Sequence, residues 1–149
     1  MPESPRCDRE EEVVELTIVD GIAWLTLKRP DVLNALDGMI TRQFAAHLVD
    51  LRERENVRVV VTRGEGRAFC AGSDLHYIAP MSPAAAAAAE LEQGETFALL
   101  DSLPQPTIAS LHGYVLGGGI IGLVTLLAID HLRPGVVVLD SPPQAARKM

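Results

Sequence analysis

Two short β-branched runs, VRVVVTRG at 57–64 and PQPTIASLHGYV at 104–115, stand on either side of a segment of strong helix formers, SPAAAAAAELEQGETFALLDSL at 82–103. This order constrains the chain more than any other feature. An apolar run ended by glycine suits a buried strand, and strands alternating with helices argue for an α/β fold with a largely parallel sheet. In the helical segment, Ser82 is placed as the N-cap and Pro83 as the first helical residue.

The preceding residues fit the same frame. VVELTIVDGIAWLTLKRP, residues 13–30, alternates around Asp20-Gly21 and predicts a β-hairpin with a tight turn. In 34–55, Leu36, Ile40, Phe44, Leu48 and Leu51 recur at helical spacing, with Asp37 as N-cap. Residues 65–80, EGRAFCAGSDLHYIAP, read as a loop rich in small residues. Residues 120–130, IIGLVTLLAID, are apolar all round and predict a buried helix. Residues 1–12 read as a disordered acidic lead-in, 13–133 as the folded core, and 134–149 as a divergent tail with one brief strand-like run.

Composition limits function. The 149 residues carry a net charge of −7, which argues against a nucleic-acid binder. The uncharged stretch 113–129 is shorter than a usual membrane span, and residues 1–12 lack the apolar core of a secretory signal, so a soluble cytoplasmic protein is expected. Cys7 and Cys70 make no disulfide framework, and neither the cysteines nor the four histidines have metal-ligand spacing.

The chemistry points to two loops. HGYVLGGGIIGL, residues 112–123, places three glycines ahead of the apolar helical run. Such a junction lets the backbone approach a ligand, and the free N–H groups of the helix start form an anion or oxyanion site. Close helix–strand packing explains the glycines equally well. The loop lacks the Lys-Ser/Thr ending of a P-loop and the spaced glycines of a dinucleotide fingerprint. The second loop, RAFCAGSDL, also follows a strand and sets Ala71, Gly72 and Ser73 before a candidate helix start. One N–H from each loop, aimed at the same oxygen, would meet the requirement of an oxyanion hole.

LTLKRPDVLNAL, RVVVTRGEGRAFCAGSDL and PTIASLHGYVLGGG follow one another in this chain. Together they resemble the crotonase superfamily, the enoyl-CoA hydratase/isomerase family, from about Val13 to Gly119 and more loosely to Arg133. The resemblance implies a partial crotonase-like spiral of ββα units without the C-terminal helical region. It implies an acyl-CoA thioester as substrate, with no separate cofactor or metal. The N–H groups of Ser73 and Gly118 would form the oxyanion hole. Backbone around Ala71, Asp74, Leu75 and His76 would bind CoA. Lys28 and Arg29 are candidates for the CoA phosphates or, equally, a solvated strand end. Asp74 is also expected to fix its own loop by accepting backbone N–H bonds. Cys70 reads as a small buried residue.

One departure matters. Where hydratases of this family carry a glutamate three residues after the middle glycine, this chain has Ile121, and no glutamate follows Glu95. His76, Tyr77 and His112 are the nearby groups able to titrate or donate. Two functions are therefore carried: an enzyme acting on an enoyl-CoA, and an inactive fragment that binds CoA or pairs with a complete subunit. The resemblance also implies trimers or hexamers, built by a C-terminal region that this sequence is expected to lack. A frameshift past the Ile121 region is one expected cause. It fails if no other frame of the coding DNA encodes the rest of such a protein.

Overall fold

The computed structural model describes residues 11–115 and 136–140. β1 (Val14–Val19) and β2 (Ile22–Leu27) pair antiparallel through the Asp20-Gly21 turn. Both turn residues have positive φ, 51° and 79°, as a tight two-residue hairpin turn demands. A 3₁₀ turn at Pro30–Val32 follows, and then α1 (Gly38–Arg52). The Asp37 carboxylate caps α1 by accepting from the Ile40 N–H at 2.9 Å. Chain reversal after α1 leads to β3 (Val59–Gly64), which pairs parallel to β2.

Residues 65–80 are not simply a loop. They hold β4 (Ala68–Cys70) and α2 (Leu75–Ile78). Three residues are too few for a period to show in sequence. β4 exists because all three of its residues are buried and because it finds a partner far along the chain. α3 (Pro83–Asp101) then crosses over, capped by the Ser82 hydroxyl, which accepts from the Ala85 N–H at 3.2 Å. Ala84, Ala85, Ala87 and Ala88 are exposed, so this first half leans on high helix propensity and the Ser82 cap more than on burial. The buried residues of α3, Thr96 and Phe97, lie toward its C-terminal end.

The run read as one strand at 104–115 is two. β5 (Thr107–Leu111) pairs parallel to β3, and β6 (Tyr114–Val115) pairs parallel to β4. Gly113 makes the break, with φ at +59° and the Arg67 carbonyl lying where a Cβ would overlap it. The strand-like run at 136–140 is β7 (Val136–Asp140), paired parallel to β5. The main sheet therefore runs β1-β2-β3-β5-β7, with the β4–β6 ladder beside it.

Period-two alternation sorts the main sheet's faces. Ala23, Leu25 and Leu27 on β2 are fully buried and share a face with Val60 of β3. They join the α1 stripe of Ile40, Phe44, Leu48 and Leu51 and Phe97 of α3 in one apolar core. The helical spacing read in the sequence is thus the inward face of α1. Burial of each such side chain stabilises the fold by about 1.5–3 kcal/mol. On the opposite face, the Arg63 guanidinium lies 4.8 Å from the Trp24 ring centre, and its Nε donates to Thr26 Oγ1 at 2.9 Å.

Candidate active site

The loop after β4 is held against the segment after β2 by backbone bonds. Ala71 donates to the Leu33 carbonyl at 2.9 Å. Leu36 donates to the Gly72 carbonyl at 2.7 Å and accepts from the Asp74 N–H at 2.8 Å. These two bonds make the isolated parallel bridge Leu36↔Ser73. In a parallel bridge the central residue faces away from its partner, because the partner bonds to the residues on either side of it. Among the described residues, the Ser73 N–H has no hydrogen-bond partner. Gly72 reaches the required backbone shape at φ +87°.

Asn34 underlies this arrangement, and nothing in the sequence reading singled it out. It is fully buried with φ +55°. Its Oδ1 accepts from the Arg29 N–H at 2.8 Å. Its Nδ2 donates to the carbonyls of Glu65 at 3.0 Å and Ala68 at 2.9 Å. One side chain thus ties the end of β2 to both ends of the β3–β4 connection. Its position within LNAL was the only signal, and the hydrogen-bonding role needs the fold to appear.

Ser73 lines a cleft with Leu36, Gly38, Thr41, Tyr77 and Gln93, enclosing about 300 Å³ of empty space that is partly open to solvent. An apolar cleft of about 230 Å³ lies next to it, sharing Leu36, Thr41 and Gln93 and reaching Phe44 and Phe97. Gly38 is buried, and a Cβ there would meet the Tyr77 hydroxyl, so glycine at the start of α1 makes room for that ring.

The structure brings the predicted loop residues together but gives them different settings. Ala71 and Ser73 are half-buried, and Leu75 and His76 are exposed. The Asp74 carboxylate accepts from the His76 N–H at 3.0 Å and caps α2. Arg29, a phosphate candidate by resemblance, has its Nη1 at 3.1 Å from Asp37 Oδ2 and its Nη2 at 3.4 Å from Asp74 Oδ2. Nη1 also donates to the Ala35 carbonyl at 2.7 Å. Lys28 Nζ is 3.3 Å from Glu15 Oε1. His112 Nε2 lies 2.8 Å from the Gly66 carbonyl, and His112 does not line the cleft. Cys70 is buried, and desolvation pushes its thiol pKa above the usual value despite the Gly72 N–H on its sulfur. Gly118, Ile121 and the predicted helix 120–130 lie outside the described residues. Among the described residues, no three His, Cys, Asp or Glu side chains group to hold a metal, and no helix is long and apolar enough to cross a membrane.

A largely parallel sheet with helices packed on it, and a small β4–β6 ladder whose following loop lines a cleft, defines an α/β protein of mixed-sheet architecture. The chain belongs to the enoyl-CoA hydratase/isomerase family, the crotonase superfamily, whose sequence pattern it matches over residues 17–130. It is 37% identical over 101 residues to enoyl-CoA hydratase domain-containing protein 2, mitochondrial, of Bos taurus, covering 67% of this chain and 34% of that one. It is 32% identical over 108 residues to the (E)-benzylidenesuccinyl-CoA hydratase of Thauera aromatica, covering 72% and 42%. The crystal structure of an enoyl-CoA hydratase from Bacillus anthracis superposes with a TM-score of 0.72 at 29% identity, covering 75% of this chain and 44% of that one. The described fold is thus a partial crotonase fold, and the chain spans less than half the length of these relatives.

Proposed function

We propose that this chain acts on an acyl-CoA thioester through a backbone oxyanion hole, in hydration, dehydration or isomerisation of an enoyl-CoA. The carrying observation is the Ser73 N–H, left by the Leu36 bridge without a partner among the described residues, on a loop that lines a cleft. The second donor would be the Gly118 N–H. The register of the small ladder supports this pairing of loops. Cys70 and Val115 are partners across it, and Ser73 and Gly118 each lie three residues further on. Two N–H groups on one carbonyl oxygen would stabilise the enolate-like or tetrahedral charge that develops during reaction. Backbone at Ala71 and from Asp74 to His76 would carry the CoA part.

Ile121 favours a second reading. With an aliphatic side chain where the hydratase glutamate would stand, the chain would bind CoA thioesters, or pair with a complete subunit, without turnover. Calorimetric titration with crotonyl-CoA, with free CoA as control, tests the hole. Loss of the enoyl-thioester absorbance tests the chemistry. Tighter binding of the thioester with turnover supports the enzyme, and such binding without turnover supports the second reading. A folded chain that does not distinguish crotonyl-CoA from CoA refutes the oxyanion assignment.

A further inference from the structure

We infer that Arg29 is a positioning residue for the Ser73 N–H, a clamp on the loop rather than a ligand for phosphate. The functional half of this inference rests on Ser73 being an oxyanion donor, as proposed above. The clamp itself rests on geometry alone.

Asp37 and Asp74 divide their carboxylate oxygens in the same way. In each, Oδ1 caps a helix, accepting from Ile40 or His76, and Oδ2 meets Arg29. These two residues directly follow Leu36 and Ser73, the two members of the bridge. The guanidinium therefore closes the rung immediately beyond the one that aims the Ser73 N–H. Its own base is fixed, since the Arg29 N–H donates to Asn34 Oδ1 and the Arg29 carbonyl accepts from the Asn34 N–H, both at 2.8 Å.

The charge balance opposes a phosphate role. One cation lies between two carboxylates, so the cluster is net negative, and an incoming phosphate would meet two like charges. The side chains of Arg29, Asp37 and Asp74 are only 20%, 19% and 11% exposed, so solvent and salt screen this repulsion less than at an open surface. A planar fork with separate nitrogens serves two carboxylates and a carbonyl at once, which an ammonium group does not.

The test uses the full chain with Arg29→Lys and Asp74→Asn. Asparagine keeps a capping oxygen and removes the charge partner. Amide hydrogen exchange is expected to accelerate by about tenfold or more at Leu36 in both variants and at Asp74 in Arg29→Lys, with Val60 in β3 unchanged. Titrations with crotonyl-CoA, CoA and 3′-dephospho-CoA should show the preference for crotonyl-CoA over CoA falling about tenfold, with CoA against 3′-dephospho-CoA unchanged. Unchanged exchange at Leu36 in both variants overturns the clamp. Loss of discrimination between CoA and 3′-dephospho-CoA on Arg29→Lys overturns it in favour of a phosphate ligand. If Arg29→Lys does not fold, Asp74→Asn decides by the same exchange readout. A wild-type chain with no preference for crotonyl-CoA refutes the Ser73 reading instead, and exchange alone then decides the clamp.

Discussion

Leu36 holds Ser73 from both sides without bonding to it, taking the Gly72 carbonyl at 2.7 Å and the Asp74 N–H at 2.8 Å. The consequence is that the donor of interest is a backbone group whose direction is set by its neighbours. Ser73→Ala should therefore bind crotonyl-CoA as the parent chain does. Gly118→Val should abolish the thioester preference by blocking approach, and any turnover by the parent chain should fall by the order of 10²–10³-fold in kcat if a full oxyanion donor is removed. Titration of both variants with crotonyl-CoA and CoA checks this. A Ser73→Ala loss as large as that of Gly118→Val would count against a backbone donor.

Asn34→Ala should destabilise the chain by about 2–4 kcal/mol. It leaves the Arg29 N–H and the Glu65 and Ala68 carbonyls without their partner in a buried setting. It also puts a β-carbon without hydrogen-bonding compensation at φ +55°. Urea unfolding measures the loss, and a change below about 0.5 kcal/mol would contradict the role given to Asn34.

Gly113→Ala should cost at least about 2 kcal/mol, by positive φ and by overlap of the new Cβ with the Arg67 carbonyl. Gly94→Ala is the control, because a Cβ there meets nothing within 4 Å and alanine is the better helix former. Thermal melts should move in opposite directions for the two variants.

Cys70 supplies the pH prediction. Burial raises its folded-state pKa above the ordinary 9.0, so as pH rises the unfolded chain gives up this proton first. Its contribution to stability is complete well below the ordinary value of 9.0 and is lost as pH climbs toward the folded value. In a Cys7→Ser background, Cys70 should react with a thiol reagent only at the rate of local opening at neutral pH. Fast stoichiometric labelling of the native chain would contradict this.

The parts of the fold legible in sequence are those with a period or a local stop signal. The hairpin follows from Asp20-Gly21, α1 from its apolar stripe and Asp37, and α3 from Ser82-Pro83 and the alanines. β4 and the β5–β6 break were not legible, because one depends on pairing with distant residues and the other on a single glycine's contact with Arg67. At the site, the resemblance points to the loop at Ala71–His76 and to Arg29 as a phosphate candidate, and neither reading shows what Arg29 touches. Its two carboxylate partners come from Asp37 and Asp74, and only the folded chain brings three such separated residues together.

The β4–β6 ladder also bears on how a chain of this kind changes over time. Neighbouring strands stand about 4.8 Å apart whatever side chains they carry. The spacing of Cys70 from Val115, at the ends of the two strands, is thus inherited from main-chain pairing. Core residues of the larger sheet can then drift in volume without resetting that gap. Mutational tolerance should be broad in the core packed on α1 and narrow in a handful of residues, Gly64, Gly113 and Asn34 among them, where backbone touches backbone or hangs on one amide.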